Sequence, residues 1–326
     1  MRTAFRWSLG FAAIMSAAAI AQPITTEVEA VRETPQIDST TTTQDVKYKQ
    51  DDYGRMTVPV HVAGRGPYRF LVDTGADRTS VSTAMAAQLQ MTPGKMARLH
   101  SITGTSSVST ANVRQMVLSK DRVRSFEAAL LEAGDMGADG ILGVDSLRSQ
   151  RVTFDFKKQL ISIVPSARPI YRDEKEAIVV RGQLKRGHLI ISRAMVDGQP
   201  TVIVLDTGAE ISMGNEALRR KLESRGRLRN PERVSMTSVT GDKLLGDAYF
   251  VKEIEIGGLT MRKLGIFFSD TQTFRTLGLE DKPAMLLGMN AMRAFDRVSI
   301  DFETKKLRVL MPEHGMNGGA AVAAGR

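Results

Sequence analysis

From Arg55 onward, apolar and polar positions alternate over short stretches, with Val58, Val60 and Val62 separated by Pro59 and His61. A period of two predicts a strand with one buried face. Gly64 and Gly66-Pro67 then read as a turn. The strand that follows, Tyr68 to Val72, ends in an unbroken apolar run, Phe70-Leu71-Val72. Such a run predicts a strand buried on both faces. Short strands joined by Gly, Pro and Asp turns continue along most of the chain, the pattern of an all-β barrel or sandwich. Helical spacing interrupts it in two places, with Met85 and Leu89 inside 83–90 and Leu218 and Leu222 inside 215–223.

The pattern occurs twice. Pro67-Tyr68-Arg69-Phe70-Leu71-Val72-Asp73-Thr74-Gly75-Ala76 recurs as Pro200-Thr201-Val202-Ile203-Val204-Leu205-Asp206-Thr207-Gly208-Ala209. Ser101-Ile102-Thr103-Gly104 recurs as Ser238-Val239-Thr240-Gly241, and Gly140-Ile141-Leu142-Gly143-Val144-Asp145 as Met285-Leu286-Leu287-Gly288-Met289-Asn290. Val152-Thr153-Phe154-Asp155-Phe156 answers to Val298-Ser299-Ile300-Asp301-Phe302. Landmarks recurring in one order mean duplication rather than chance. The expected organisation is an N-terminal lobe at 48–166, a linker at 167–183 with a charged run at 172–176, and a C-terminal lobe at 184–312. A polar leader at 22–47 and a Gly- and Ala-rich tail at 313–326 have too little apolar content to build a core.

Residues 1–21 read as a signal segment. Arg2 and Arg6 precede a mostly apolar stretch from Trp7 to Ala18, and Ala19-Ile20-Ala21 fits a small-x-small cleavage pattern before Gln22. The stretch is short for a membrane span. The expectation is an exported protein, periplasmic or secreted, with no integral span in the mature chain. An uncleaved anchor is the alternative.

Composition removes several chemistries. The 326 residues include no cysteine, which excludes disulfides, thiolate zinc sites and a Cys nucleophile. The four histidines, His61, His100, His188 and His314, are scattered without metal-ligand spacing. Neither a metal nor a cofactor is expected: the chain has no phosphate loop, dinucleotide fingerprint or Gly-x-Ser-x-Gly elbow. Arg219, Arg220, Lys221, Arg225, Arg227, Arg229 and Arg233 form a basic stretch within a net charge of +9, read as a solvated face. Nucleic acid is not an expected partner. Met285, Met289 and Met292 read as core.

The repeated Asp-Thr-Gly carries the candidate chemistry. An apolar strand delivers each Asp into a turn, where burying a carboxylate is costly without partners. The Thr hydroxyl can bond a neighbouring loop, and Gly permits close backbone approach. If the copies face each other across a pseudo-twofold axis, Asp73 and Asp206 meet and share one proton. The ionised carboxylate can then take a proton from water while the protonated one bonds a substrate carbonyl.

On these residues the chain resembles the retropepsin-like aspartic peptidases, in a duplicated single-chain form. Val72-Asp73-Thr74-Gly75-Ala76-Asp77-Arg78-Thr79 is similar to the family's active-site loop. Gly140 to Asp145 is similar to the apolar-apolar-Gly motif packed behind it, and Asn290 replaces the Asp in the second copy. The resemblance implies two β-rich lobes of the closed-barrel type with short helices. It also implies a cleft between them and peptide-bond hydrolysis by Asp73 and Asp206. Thr74, Gly75, Thr207 and Gly208 would support the loops. Asp77 and Glu210 match positions that contact substrate backbone, and Gly104 and Gly241 would lie at flap tips. Neither flap contains a Tyr, unlike pepsin-like relatives. The function expected is an endopeptidase acting on polypeptides, as a monomer with an intrachain dyad. The rival is a catalytically silent module that binds extended peptide by strand addition.

Overall fold

The computed structural model describes residues 56–101, 104–118, 125–168 and 177–312, with the backbone of short strand segments at 6–8, 14–15, 27–30, 46–47, 49–50 and 121–123. Most of the expected signal segment, leader and tail, residues 169–176 of the expected linker, and Ile102 and Thr103 lie outside the described residues.

The protein is all-β with two sheet-rich lobes and short helices. In the first lobe Met56–Val62 and Arg65–Val72 form a hairpin with Val58 opposite Phe70. Ala63 and Gly64 turn it with φ of 51° and 73°, the left-handed values that match the strand twist. Phe70, Leu71 and Val72 are all buried. The second lobe repeats the arrangement with His188–Val196 and Gln199–Leu205.

One topological device, built twice, places the repeated loops. Gly140–Leu142 lies parallel to Arg65–Val72 on one side and antiparallel to Ser80–Ser82 on the other. The Asp73 loop is the connection between those two outer strands, so a strand from much later in the chain is wedged between its ends. Ala284–Leu287 does the same between Gln199–Leu205 and Ser212–Gly214. Glycine is needed just past each wedge strand because the Asp-Thr-Gly loop approaches so closely there. A Cβ on Gly143 would meet the backbone of Arg78, and one on Gly288 the backbone of Ala209 and Ile211. In the second lobe the sheet closes on itself, since Lys243–Ile256 pairs both with His188–Val196 and with Leu259–Phe268.

The lobes share a six-stranded sheet at the base. Its centre is the antiparallel pair Gln150–Asp155 and Arg297–Asp301, one strand from each copy, with Thr153 opposite Ser299 and their hydroxyls 3.0 Å apart. On either side of that point the ion pairs are reciprocal. Arg297 bonds Asp155 at 2.7 Å, and Arg151 lies 3.9 Å from Asp301. A pseudo-twofold axis therefore runs through Thr153 and Ser299. Buried charges hold only as satisfied pairs, so each guanidinium fixes the register of the sheet. Within the stretch expected as linker, Ile178–Arg181 is a strand of this sheet, paired with Lys306–Leu310. Apolar residues of both copies, including Val58, Phe154, Val298 and Phe302, share one continuous core.

Two hairpins meet where Val239 of one joins the apolar cluster of Leu99 of the other. Flap one is Ala97–His100 with Thr105–Val108, and flap two is Glu232–Thr237 with Lys243–Ile256. Each has an edge that accepts an added strand: Arg6–Ser8 runs parallel to Ala97–His100, and Ile14–Met15 antiparallel to Glu232–Thr237. No helix among the described residues is long and apolar enough to cross a membrane.

Candidate active site

Asp73 and Asp206 each follow a strand whose last three residues are buried, and both are themselves fully buried. Each carboxylate is held by its own loop. Asp73 Oδ1 accepts from the N–H of Gly75 at 2.8 Å and of Ala76 at 3.0 Å. Asp206 Oδ1 accepts from Gly208 at 3.0 Å and Ala209 at 3.1 Å. The turn following each strand thus supplies two donors to one oxygen, which partly offsets desolvation of the charge.

The two loops face each other. A Cβ on Gly75 would strike the Asp206 carboxyl group, and one on Gly208 would strike that of Asp73. Neither glycine has a positive φ, so close approach rather than backbone geometry demands it here. The threonines cross-link the loops. Thr74 Oγ1 donates to the Leu205 carbonyl at 2.9 Å and accepts from the Thr207 N–H at 3.0 Å. Thr207 Oγ1 donates to the Val72 carbonyl at 2.6 Å and accepts from the Thr74 N–H at 3.1 Å.

Burial pushes Asp206 up to about 7, although the N–H groups of Gly208 and Ala209, the charge of His188 and the side chain of Asp73 all oppose the rise. A carboxyl group so placed keeps a proton well above the ordinary carboxylate range. At Ala76 and Ala209 there is no side-chain hydroxyl to add a further bond to the charged form.

Behind each loop sits a second clamp. Asp145 Oδ1 accepts from the Thr79 N–H at 2.9 Å and its hydroxyl at 2.8 Å, and Thr79 Oγ1 accepts from the Gly143 N–H at 3.1 Å. In the second lobe Asn290 Oδ1 accepts from the N–H of Ser212 at 2.9 Å and its hydroxyl at 2.7 Å, and Ser212 Oγ accepts from the Gly288 N–H at 3.0 Å. Sequence reasoning found Asp145 and Asn290, included Thr79 in the loop motif without a role, and missed Ser212. Extending the repeat a few residues past each Asp-Thr-Gly would have aligned them. Burial raises the Asp145 carboxyl despite these bonds.

Of the other expected site residues, Asp77 Oδ1 contacts His188 Nε2 at 2.5 Å, and Glu210 accepts the Asn290 N–H through its backbone carbonyl at 2.9 Å. Gly104 and Gly241 lie in the two hairpin tips with φ of 156° and 81°. The tips differ. A Cβ on Gly104 would meet open space, whereas Gly241 lies against Asp135 of the first lobe. Val239, beside it, is buried among Leu99, Leu131 and Met136 of that lobe. Burial raises the Asp135 carboxyl, with further contributions from Glu132 and from Asp242 on the flap. His188 is a buried residue at this site that sequence reasoning left among scattered histidines. Its position depends on which loop the strand His188–Val196 packs against, which no local pattern encodes. No three carboxylate or imidazole groups among the described residues converge so as to hold a metal ion.

Comparison with known families agrees with this duplication. Residues 58–149 match the family described as "gag-polyprotein putative aspartyl protease", and residues 192–291 match one described as "aspartyl protease". Each matched stretch contains one Asp-Thr-Gly loop and the wedge strand behind it. No curated protein matches the chain at a significant level.

Proposed function

Because the chain belongs to the aspartyl proteases, as two such domains in tandem consistent with a duplicated retropepsin-like protease, we propose that it is an exported endopeptidase whose single chain supplies both catalytic carboxylates. The observation that carries this reading is the pair of buried carboxylates, Asp73 and Asp206, brought together by loops that are cross-linked through Thr74 and Thr207.

In this mechanism a water lies between the two carboxyl groups. One is ionised and takes a proton from the water as its oxygen attacks the scissile carbonyl carbon. The other is protonated and donates to the carbonyl oxygen, giving a tetrahedral diol. A proton then passes from the dyad to the amide nitrogen, the C–N bond breaks, and acid and amine leave. Raising the affinity of Asp206 for its proton supports the acid role near neutral pH.

Substrate backbone would lie extended beneath the flaps. Support comes from the edges of both flaps, which accept added strands at Arg6–Ser8 and Ile14–Met15. Asp77, Glu210, Gly104 and Gly241 are the proposed substrate contacts. Export rests on Arg2, Arg6, the apolar run and Ala19-Ile20-Ala21. N-terminal sequencing of protein from the envelope fraction should begin at Gln22.

The direct test incubates the protein and its Asp73→Asn variant with a diverse peptide library, and identifies products by mass spectrometry. Cleavage by the native protein alone is expected. Peptide retention without cleavage by either would favour the silent binding module.

A further inference from the structure

His188 opens the strand His188–Val196 of the second lobe, yet both of its ring nitrogens serve the first lobe's active-site loop. Nδ1 lies 3.0 Å from the carbonyl oxygen of Thr74, and Nε2 lies 2.5 Å from Asp77 Oδ1. The ring is buried. A carbonyl oxygen only accepts, so Nδ1 carries a hydrogen. The second contact is as short as a charge-assisted bond, so a proton lies between Nε2 and the carboxylate. A neutral ring has one hydrogen and cannot satisfy both contacts with an ionised Asp77.

We propose that His188 is a positioning residue for the hydrolytic reaction, held as an imidazolium that ties the Asp73 loop to the second lobe and biases the dyad toward its singly ionised form by its charge. This rests on the endopeptidase reading of the same site. The loop it grips contains Thr74, whose hydroxyl and N–H make the cross-link to Thr207. Pulling on the Thr74 carbonyl therefore orients the cross-link from behind. A positive charge on this ring opposes the rise that burial imposes on the Asp206 carboxyl group.

Several charged groups among the described residues stand near His188. Asp77 contacts it, and Asp73 and Asp206 stand on the loops it faces. Lys185 pairs with it across the adjoining strand and donates its own Nζ to the Leu277 carbonyl. Counting back from Asp73 by the interval that separates His188 from Asp206 reaches Arg55. The duplicated sequence thus carries a permanent cation at one equivalent position and an imidazole at the other. The asymmetry makes Arg the informative replacement.

Three proteins separate this role from simple packing: native, His188→Asn and His188→Arg. Loss of the cation should lower kcat/KM by about tenfold or more and move both limbs of its pH profile upward by about half a pH unit to one, since an opposite charge no longer favours ionisation. His188→Arg should return both limbs to their native places. An independent readout is the nitrogen NMR spectrum of protein labelled at histidine, prepared also in the inactive Asp73→Asn background and assigned by loss of the His188 signals. Two matching imidazolium-type nitrogens at pH 6 are expected. A neutral-ring pattern at that pH, or an unmoved profile in His188→Asn, would overturn the proposal. The spectrum reports on His188 even if no peptide is cleaved, so failure of the endopeptidase reading is distinguishable from failure of this one.

Discussion

Thr74 and Thr207 each donate a hydroxyl hydrogen to the carbonyl of the residue preceding the other's aspartate, Leu205 and Val72, and each accepts the other's backbone N–H. Four bonds thus join two loops that are far apart in sequence and belong to one chain. The reciprocity matters because the loops can shift only together, which fixes the separation of Asp73 and Asp206.

An intrachain dyad has a distinct mutational signature. Asp73→Asn and Asp206→Asn should each abolish most peptidase activity, and the double variant should be hardly worse, because the pair acts as one unit. Mixing the two single variants should restore nothing. Substantial activity in either single variant, accompanied by dimers at assay concentration, would instead indicate lobes paired between chains.

The cross-link itself is testable. Thr207→Ser keeps the hydroxyl and should retain most activity. Thr207→Ala leaves the Val72 carbonyl and the Thr74 N–H without their buried partner, at a cost of about 1 to 3 kcal/mol each if unrelieved. The expected outcome is a lower melting temperature together with at least a tenfold loss of kcat. Equal behaviour of the Ser and Ala variants would remove the hydroxyl from the account.

The dyad predicts activity that extends toward neutral pH. With Asp206 pushed up to about 7 by burial, its proton is retained through mild acid, and the alkaline limb should fall near neutrality. The same shift has a stability consequence. The folded state binds this proton more tightly than the unfolded chain, so its contribution is present below the ordinary carboxylate range and is lost as pH rises toward 7. Asp206→Asn should flatten that part of the melting-temperature profile. A rate profile confined below about pH 3, under the dyad values of strongly acidic relatives, would contradict this.

Asp145 and Asn290 make the same pair of bonds with different charge. Burial raises Asp145, so its ionised form destabilises the folded state increasingly as pH rises. Asp145→Asn keeps an acceptor for Thr79 and removes the ion. Melting curves should show the variant gaining on the native protein more at pH 8 than at pH 4. A gain of the same size at both would exclude titration of Asp145 as its cause.

Flap two is anchored where flap one's Gly104 faces open space. Val239 is buried against the first lobe, so Val239→Ser should weaken flap closure and raise KM several-fold, together with a modest fall in melting temperature. Gly104→Val strains a positive φ at an unobstructed tip and should slow turnover without a comparable loss of stability. A large fall in melting temperature for Gly104→Val, or an unchanged KM for Val239→Ser, would remove these residues from the gate.

Much of this was legible in the chain because it is written in local patterns. The apolar runs before Asp73 and Asp206 predicted strand ends buried on both faces, and the repeated Asp-Thr-Gly predicted two facing loops. Duplication carried the rest: once two copies are recognised, a twofold arrangement follows from like surfaces packing on like. The close approach at Gly75 and Gly208 is the structural form of a residue preference already visible in sequence.

What tertiary structure alone decided lies where the copies meet. The reciprocal Arg151–Asp301 and Arg297–Asp155 pairs depend on the register of one strand against its distant counterpart. The seating of Val239 on the first lobe depends on the direction in which flap two leans. His188 meets Thr74 and Asp77 because the strand His188–Val196 of the second lobe packs behind the loop of the first. Periodicity reports which face of a strand is buried, but it carries no information about what that face is buried against. Contacts between the lobes are fixed by packing the two copies together, so an imidazole at a strand's start gains its meaning only when the whole chain has folded.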